Sequence, residues 1–131
     1  MTALKPRLTR KNVFLERTFT QADFNAFARL SGDDNPIHVD PDFSARTRFG
    51  KTVAHGALLC SVLRGLVDRI IPGARQISQN TQYPAPSPVG EPLRFEAELV
   101  DDTSHGHRIS LKVTRIGDGV VTCIGETEVS S

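Results

Sequence analysis

Two side chains that can move a proton lie close together in the sequence. Asp33 and His38 are five positions apart, within the run GDDNPIH at 32–38. Pro36 removes one backbone donor and pushes Asn35 toward an extended conformation, which predicts a loop rather than a helix face. A folded loop can hold a carboxylate and an imidazole around one water, an arrangement suited to general acid–base catalysis.

The same residue types are also those of an ordinary turn. Glycine supplies positive φ, aspartate and asparagine hydrogen bond to their own backbone, and proline fixes φ. Composition and spacing alone therefore leave two interpretations open, a solvated turn and a catalytic pair.

The longer stretch from Phe27 to Ser44 resembles the signature of the (R)-specific enoyl-CoA hydratases, in the MaoC-like dehydratase family. That signature has an aromatic, an aliphatic and a small residue, then Gly-Asp-x-Asn-Pro-aliphatic-His, and a further small residue. This chain matches it with Phe27, Leu30, Ser31, the GDDNPIH run and Ser44. The later run VAHG at 53–56 is similar to the family's entry into its central helix.

The resemblance implies reversible syn hydration of a trans-2-enoyl thioester to an (R)-3-hydroxyacyl thioester. Asp33 and His38 would hold the water and move its proton. The N–H of Gly56, at a helix N-terminus, would stabilise the charge that builds on the thioester oxygen. Asn35 would fix the loop, and His55 would shape the entry to the substrate site. No metal or redox cofactor is expected, since coenzyme A arrives as the carrier of the substrate.

Arg46, Arg48 and Lys51 form a basic cluster between the signature and the predicted central helix. Such a cluster is most simply a solvated face. The alternative is that it binds the phosphates of a coenzyme A carrier, since these side chains pair well with phosphate oxygens.

Composition is that of an ordinary globular protein. With 131 residues, 38% of them hydrophobic, the chain is expected to form one domain over 1–131 with a sizeable core. A net charge of +1 gives no electrostatic reason to bind nucleic acid or a membrane surface. No membrane span or signal peptide is evident. Cys60 and Cys123 lie in apolar surroundings, which predicts buried thiols in a reducing, cytoplasmic compartment.

Hydrophobic periodicity predicts the elements that must position the pair. A flexible terminus is predicted over 1–11, and a first strand is predicted over 12–18. A helix is predicted from Thr20, through a capping box, to Gly32. A short helix is expected over about 41–47, and a helix buried on most sides over 53–71. Strands are predicted over 74–83, 91–100, 107–116 and 120–129, although 76–83 is unusually polar and Pro92 lies inside the second of these.

These elements predict an α+β fold, with about five mostly antiparallel strands and one buried helix. The resemblance implies the hot-dog fold, in which a curved sheet wraps around a central helix. Such a sheet leaves edge strands unpaired, so a homodimer is expected.

Three other functions stay open. A related dehydratase would use the same site on 3-hydroxyacyl groups carried by acyl carrier protein, which a concentrated basic patch at the tunnel mouth would favour. The sequence fits a hot-dog thioesterase less well. The carboxylate of such an enzyme usually lies on the central helix, where this chain has only Asp68. The chain could also be a non-catalytic acyl-thioester-binding module or a structural half of a heterodimer, although the presence of both Asp33 and His38 argues against a silent half.

Overall fold

The structure is a computed structural model, and it describes residues 11–131. The flexible terminus predicted for 1–11 therefore lies outside the described residues, apart from Lys11. The ammonium of Lys11 donates to the carbonyl of Ile70, at 3.2 Å.

The described residues form five strands and four helices. In chain order these are β1 (Asn12–Thr18), α1 (Gln21–Ser31), α2 (Pro36–Val39), α3 (Pro41–Ala45), α4 (Gly56–Ile70), β2 (Arg75–Gln82), β3 (Pro92–Asp102), β4 (His107–Arg115) and β5 (Val121–Ser130). The strands make one antiparallel sheet in the order β1-β3-β4-β5-β2. The predicted α+β fold is confirmed.

Helix α4 packs one side against β1, β3 and β4. Its buried side chains are Leu59, Leu63, Leu66, Val67 and Ile70. Its exposed residues are Ala57, Ser61, Gly65, Asp68 and Arg69. The prediction of burial on most sides was wrong for a single chain, because the sheet covers only one side of the helix. Among the described helices, none is both long and apolar enough to cross a bilayer.

Helix α1 has the predicted ends. Thr20 Oγ1 accepts from the N–H of Asp23 (3.2 Å) and the Asp23 carboxylate accepts from the N–H of Thr20 (2.8 Å), which completes the capping box. Gly32 ends the helix with φ of 82°, a conformation that favours glycine. Phe24 is fully buried and anchors α1 in the core. The helix therefore delivers the chain directly to Asp33.

Two prolines are placed differently from the sequence prediction. Pro36 opens helix α2 instead of lying in a loop, because the Asn35 side chain caps that helix by accepting from the N–H of Ile37 (3.0 Å). Proline is tolerated at a first helical position, where its missing N–H costs nothing. Pro92 is likewise the first residue of β3 and not inside it. The short helix predicted over 41–47 ends at Ala45.

Strand β2 lies at one edge of the sheet, which accounts for its polar sequence. It pairs with β5 on one side only. Its first four residues, Arg75, Gln76, Ile77 and Ser78, are exposed. Strand β1 forms the other edge.

Candidate active site

Asp33 and His38 face each other across a narrow gap. Asp33 Oδ2 and His38 Nε2 are 3.8 Å apart, with the His38 side chain 14% exposed and that of Asp33 55% exposed. This separation is too long for a direct hydrogen bond, but a water oxygen can lie about 2.8 Å from both atoms. The structure therefore brings the predicted pair together with room for one water between them.

Hydrogen bonding decides which nitrogen of His38 faces the carboxylate. His38 Nδ1 lies 2.8 Å from the carbonyl oxygen of Val53. A carbonyl can only accept, so Nδ1 carries the proton of the neutral ring and Nε2 has the free lone pair. A water between Nε2 and Asp33 Oδ2 would donate one hydrogen to each and direct its own lone pairs outward. Such a water is oriented for attack on an electrophile.

Gln21 holds the main chain of His38 in place. Its side-chain N–H donates to the His38 carbonyl (2.9 Å), while its Oε1 accepts from the hydroxyl of Thr52 (2.6 Å). Thr52 is 1% exposed, so this bridge lies beneath the site. Sequence reasoning missed both residues, because a glutamine in the first turn of a helix carries no distinctive signal.

Asn35 and Ser44 shape helix α2 rather than contact the reacting groups. Asn35 caps the helix, in agreement with the predicted side-chain to backbone hydrogen bond. Ser44 is fully buried, and its hydroxyl lies 3.4 Å from the carbonyl oxygens of both Pro36 and Ile37. A larger side chain at 44 would push α2 and His38 away from α3, which explains the small residue at the end of the signature.

His55 lies underneath the pair and contacts both of its members. It is 2% exposed, and its Nε2 lies 2.9 Å from the main-chain carbonyl oxygen of Asp33. Its ring stacks on that of His38, with centroids 3.8 Å apart, and the Phe27 ring packs against it at 4.9 Å. These contacts make His55 a positioning residue, with no side-chain surface left for a substrate.

Asp33, His38 and His55 each offer a metal-ligand atom, and these atoms lie within 4.8 Å of one another. The stacking of the rings does not suit a shared ion. Imidazole binds a metal in the plane of its ring, and the planes of two rings stacked 3.8 Å apart and tilted by 21° do not meet near their nitrogens. The donor set fits a pair of bases better than a metal centre.

Gly56 is the first residue of α4, so its N–H has no intrahelical acceptor. Within residues 11–131 this N–H has no other hydrogen-bond partner. A cavity of about 330 Å³ opens beside it, with a lining that includes Phe49, Val53, Leu59 and Tyr83. A Cβ on Gly56 would lie 2.7 Å from Cζ of Tyr83, so this ring lies directly against the helix N-terminus.

The basic cluster is exposed, and its members are not equivalent. Arg48 lines the cavity and its guanidinium lies 5.0 Å from the Phe49 ring centroid. Arg46 and Lys51 are exposed and are not among the described residues that line the cavity. Of the three residues, Arg48 alone lines the cavity beside Gly56.

The two cysteines differ from each other. Cys123 is fully buried, as predicted. Cys60 is only half-buried, and its thiol lies 3.1 Å from the Tyr83 hydroxyl and 3.3 Å from the Gln79 amide nitrogen. The prediction of an apolar environment for Cys60 was wrong, because β2 and the segment after it bring polar side chains to α4.

The chain is similar to one protein family and to several known proteins. The family described as "MaoC like domain" matches residues 5–121. The (R)-specific enoyl-CoA hydratase of Aeromonas caviae is 39% identical over 87 residues, which are 65% of this chain and 65% of the relative, just under two thirds. The 3-hydroxybutyryl-CoA dehydratase of Methylorubrum extorquens is 33% identical over 110 residues, 82% of this chain and 70% of the relative.

The solved structure of the (R)-hydratase from A. caviae involved in PHA biosynthesis has the same fold. It matches with a TM-score of 0.86 and 30% identity, over 93% of this chain and 95% of that chain. The predicted hot-dog fold is confirmed.

Proposed function

This chain belongs to the MaoC-like domain family, and we propose that it is an (R)-specific enoyl-CoA hydratase. The reaction is the reversible syn addition of water to a trans-2-enoyl-CoA, which gives an (R)-3-hydroxyacyl-CoA. The observation that carries the proposal is the gap of 3.8 Å between Asp33 Oδ2 and His38 Nε2. Relatives named hydratase and dehydratase support the same class of reaction.

The water held between Asp33 and His38 supplies the new hydroxyl group. Its oxygen bonds to C3 of the enoyl group, one of its protons passes to the pair, and the π electrons move toward the thioester oxygen. A proton from the pair then bonds to C2 as the carbonyl re-forms. Because one pair on one face of the substrate serves both carbons, the addition is syn.

The N–H of Gly56 is the proposed donor to the thioester oxygen. It lies at the N-terminus of a helix of 15 residues, where the helix dipole favours negative charge. A donor that is already oriented stabilises the enolate-like transition state more than the neutral thioester.

The cavity beside Gly56 would hold the acyl group, and Arg48 at its wall would face the carrier. Arg46 and Lys51 would add longer-range attraction for the phosphates of coenzyme A. The same cluster would also attract an acidic carrier protein, so a dehydratase acting on acyl carrier protein is the second candidate. No further cofactor is needed for either reaction. Asp68 is an unsuitable thioesterase carboxylate, because it is exposed and accepts from the N–H of Gly73 (2.9 Å) at the far end of α4.

We also propose that the protein is a homodimer. Ile77 on strand β2 is 47% exposed, and one edge of β2 is unpaired within the described sheet. An exposed edge of this kind, with only one charged residue along it, is a favourable place for a second copy to pair. Sedimentation at micromolar concentration should give twice the mass of the chain, and a monomer would contradict the proposal.

The deciding experiment follows the loss of the conjugated double bond when crotonyl-CoA is added to the purified protein. The reverse reaction is then measured on (R)- and (S)-3-hydroxybutyryl-CoA, and only the (R) isomer should be dehydrated. The same assay is run in parallel with crotonyl groups carried by acyl carrier protein. Much faster turnover of this substrate than of crotonyl-CoA would favour the dehydratase that acts on acyl carrier protein. Release of free coenzyme A without loss of the double bond would identify a thioesterase instead.

A further inference from the structure

Tyr83 follows strand β2 and lies against the first turn of α4. A Cβ added to Gly56 would lie 2.7 Å from Cζ of this ring, 2.9 Å from Cε1 and 3.0 Å from the hydroxyl oxygen. Carbon atoms in contact are about 3.5–4.0 Å apart, so only a glycine at position 56 lets the ring come this close. The Tyr83 ring therefore occupies the space that a side chain at the start of α4 would fill.

The hydroxyl of Tyr83 fixes the direction of the ring. It lies 3.1 Å from Cys60 Sγ and 3.5 Å from the Thr81 hydroxyl, and the Gln79 amide donates to the same sulfur at 3.3 Å. Cys60 is four residues after Gly56, which places it one turn further along the same side of α4. Although Tyr83 is 48% exposed, it is held at both ends of its ring, by Gly56 and by Cys60.

The ring also marks the end of the cavity on this side of α4. Gly56 and Tyr83 line the cavity, whereas Cys60 is not among the described residues that line it. Helix α4 packs mainly against β1, β3 and β4, so side chains rather than close main-chain packing fill the space between α4 and β2. Removal of the Tyr83 ring would extend the cavity toward Cys60, by roughly the 6 Å that four helical residues span.

In the proposed reaction the ring lies close to the first carbons of the acyl chain. The N–H of Gly56 would hold the oxygen of C1. Val53 connects the cavity to the catalytic pair, since it lines the cavity while its carbonyl oxygen accepts from His38. An acyl chain that continued along α4 would meet the Tyr83 ring, and closely packed atoms leave no room for both.

We propose that Tyr83 is a specificity-determining residue, which restricts this chain to short 2-enoyl thioesters such as crotonyl-CoA. This role rests on the proposed function, because it requires the thioester oxygen to bind at Gly56. An acyl group four carbons longer than crotonyl needs the space that the ring occupies. To make that space the ring must leave Cys60 and lose its hydrogen bond, so a long chain binds at a cost that a short chain does not meet.

The first test compares kcat/KM for the hydration of crotonyl-CoA and trans-2-octenoyl-CoA. The wild-type protein should prefer crotonyl-CoA. In Tyr83→Ala the ratio of octenoyl to crotonyl kcat/KM should rise by about tenfold or more, since a single misfitting methylene changes kcat/KM by about 10–200-fold. A general loss of activity cancels in this ratio. An unchanged ratio in folded Tyr83→Ala, or a wild-type preference for octenoyl-CoA, would overturn the proposal.

Milder variants test the contact that holds the ring. Tyr83→Phe removes the hydroxyl and Cys60→Ala removes its partner, so each should raise the ratio by less than Tyr83→Ala does. The double variant should resemble either single variant, because both break one contact, and fully additive effects would overturn the role of that contact. Tyr83→Leu replaces Tyr83→Ala if the latter does not fold. Phe14→Ala is the matched control, because it removes another exposed ring at the opposite edge of the sheet and should leave the ratio unchanged.

The second test measures binding without turnover, by isothermal titration calorimetry with butyryl-CoA and octanoyl-CoA. These thioesters have no double bond to hydrate. Tyr83→Ala should bind octanoyl-CoA about tenfold more tightly than the wild-type protein does, with a smaller change for butyryl-CoA. Equal changes for both chain lengths would overturn the proposal, as would a failure of the wild-type protein to bind either thioester. If the protein binds both but hydrates no enoyl thioester, the proposed function fails, and the titration still decides whether Tyr83 limits the chain.

Discussion

The imidazole rings of His38 and His55 stack with their centroids 3.8 Å apart and their planes 21° from parallel. The buried His55 also donates a hydrogen bond of 2.9 Å to the main-chain carbonyl of Asp33. It therefore fixes Asp33 as well as His38. One side chain thus sets the relative position of the two groups that would share the substrate water.

Replacing His55 by Phe should keep the stacking ring but remove the donor to the Asp33 carbonyl. We expect kcat to fall roughly 10²-fold with little change in KM, because misplacement of a catalytic group by about 1 Å has effects of this size. His55→Gln can restore the donor without the ring, and should recover part of kcat. A rise in KM at unchanged kcat, measured by steady-state hydration of crotonyl-CoA, would show that His55 binds substrate instead.

Substitution of either member of the pair should remove most of the turnover. Asp33→Asn keeps the shape and loses the charge, and His38→Ala removes the imidazole. Each should lower kcat by about 10²–10⁴-fold, the usual range for a positioned acid or base. Because both groups act on one water, the double variant should be little worse than the worse single variant. A folded single variant with near-normal hydration would contradict the assigned roles.

The role of Gly56 can be tested only through its main-chain N–H. Gly56→Pro deletes this donor, and proline is otherwise tolerated in the first turn of a helix. A Cβ added at this position would lie 2.7 Å from Cζ of Tyr83 and would crowd that ring. Gly56→Ala and Gly56→Pro are therefore best compared in a Tyr83→Ala background. In that background Ala should be nearly neutral, while Pro should lose about 3 kcal/mol of transition-state stabilisation, mostly in kcat. Equal losses would mean that crowding, and not a hydrogen bond, explains the glycine.

Two buried threonines on β5 offer a matched test of stability. The Thr127 hydroxyl donates to the carbonyl of Ser78 (2.8 Å), whereas the Thr122 hydroxyl has no partner among the described residues. Thr127→Val should lower the free energy of unfolding by about 0.5–1.5 kcal/mol, because it removes the hydrogen bond that the buried hydroxyl makes to the Ser78 carbonyl. Thr122→Val removes an unsatisfied buried hydroxyl and should be neutral or stabilising by up to about 1 kcal/mol. Urea unfolding of both variants gives the two values, and a larger loss for Thr122→Val would reveal an additional contact of that hydroxyl.

The sequence by itself determined the features that depend on neighbouring residues. The capping box at Thr20, the left-handed Gly32 and the alternation of the strands are local signals, because each requires contacts within a few positions. The signature run also placed Asp33 and His38 on one short turn. The loop predicted at Pro36 was wrong, although the deciding contact is equally local. The Asn35 side chain caps a helix that begins at this proline.

Only the tertiary structure decided which distant residues support that turn and which side of α4 is covered. The contacts of Gln21 with His38 and Thr52, of His55 with Asp33 and of Cys60 with Tyr83 join residues 17 to 31 positions apart. No periodicity specifies such pairs, because they form where separate elements meet after packing. The all-round apolar pattern of α4 likewise could not show that its own sheet covers one side, since burial depends on the neighbours that the fold supplies.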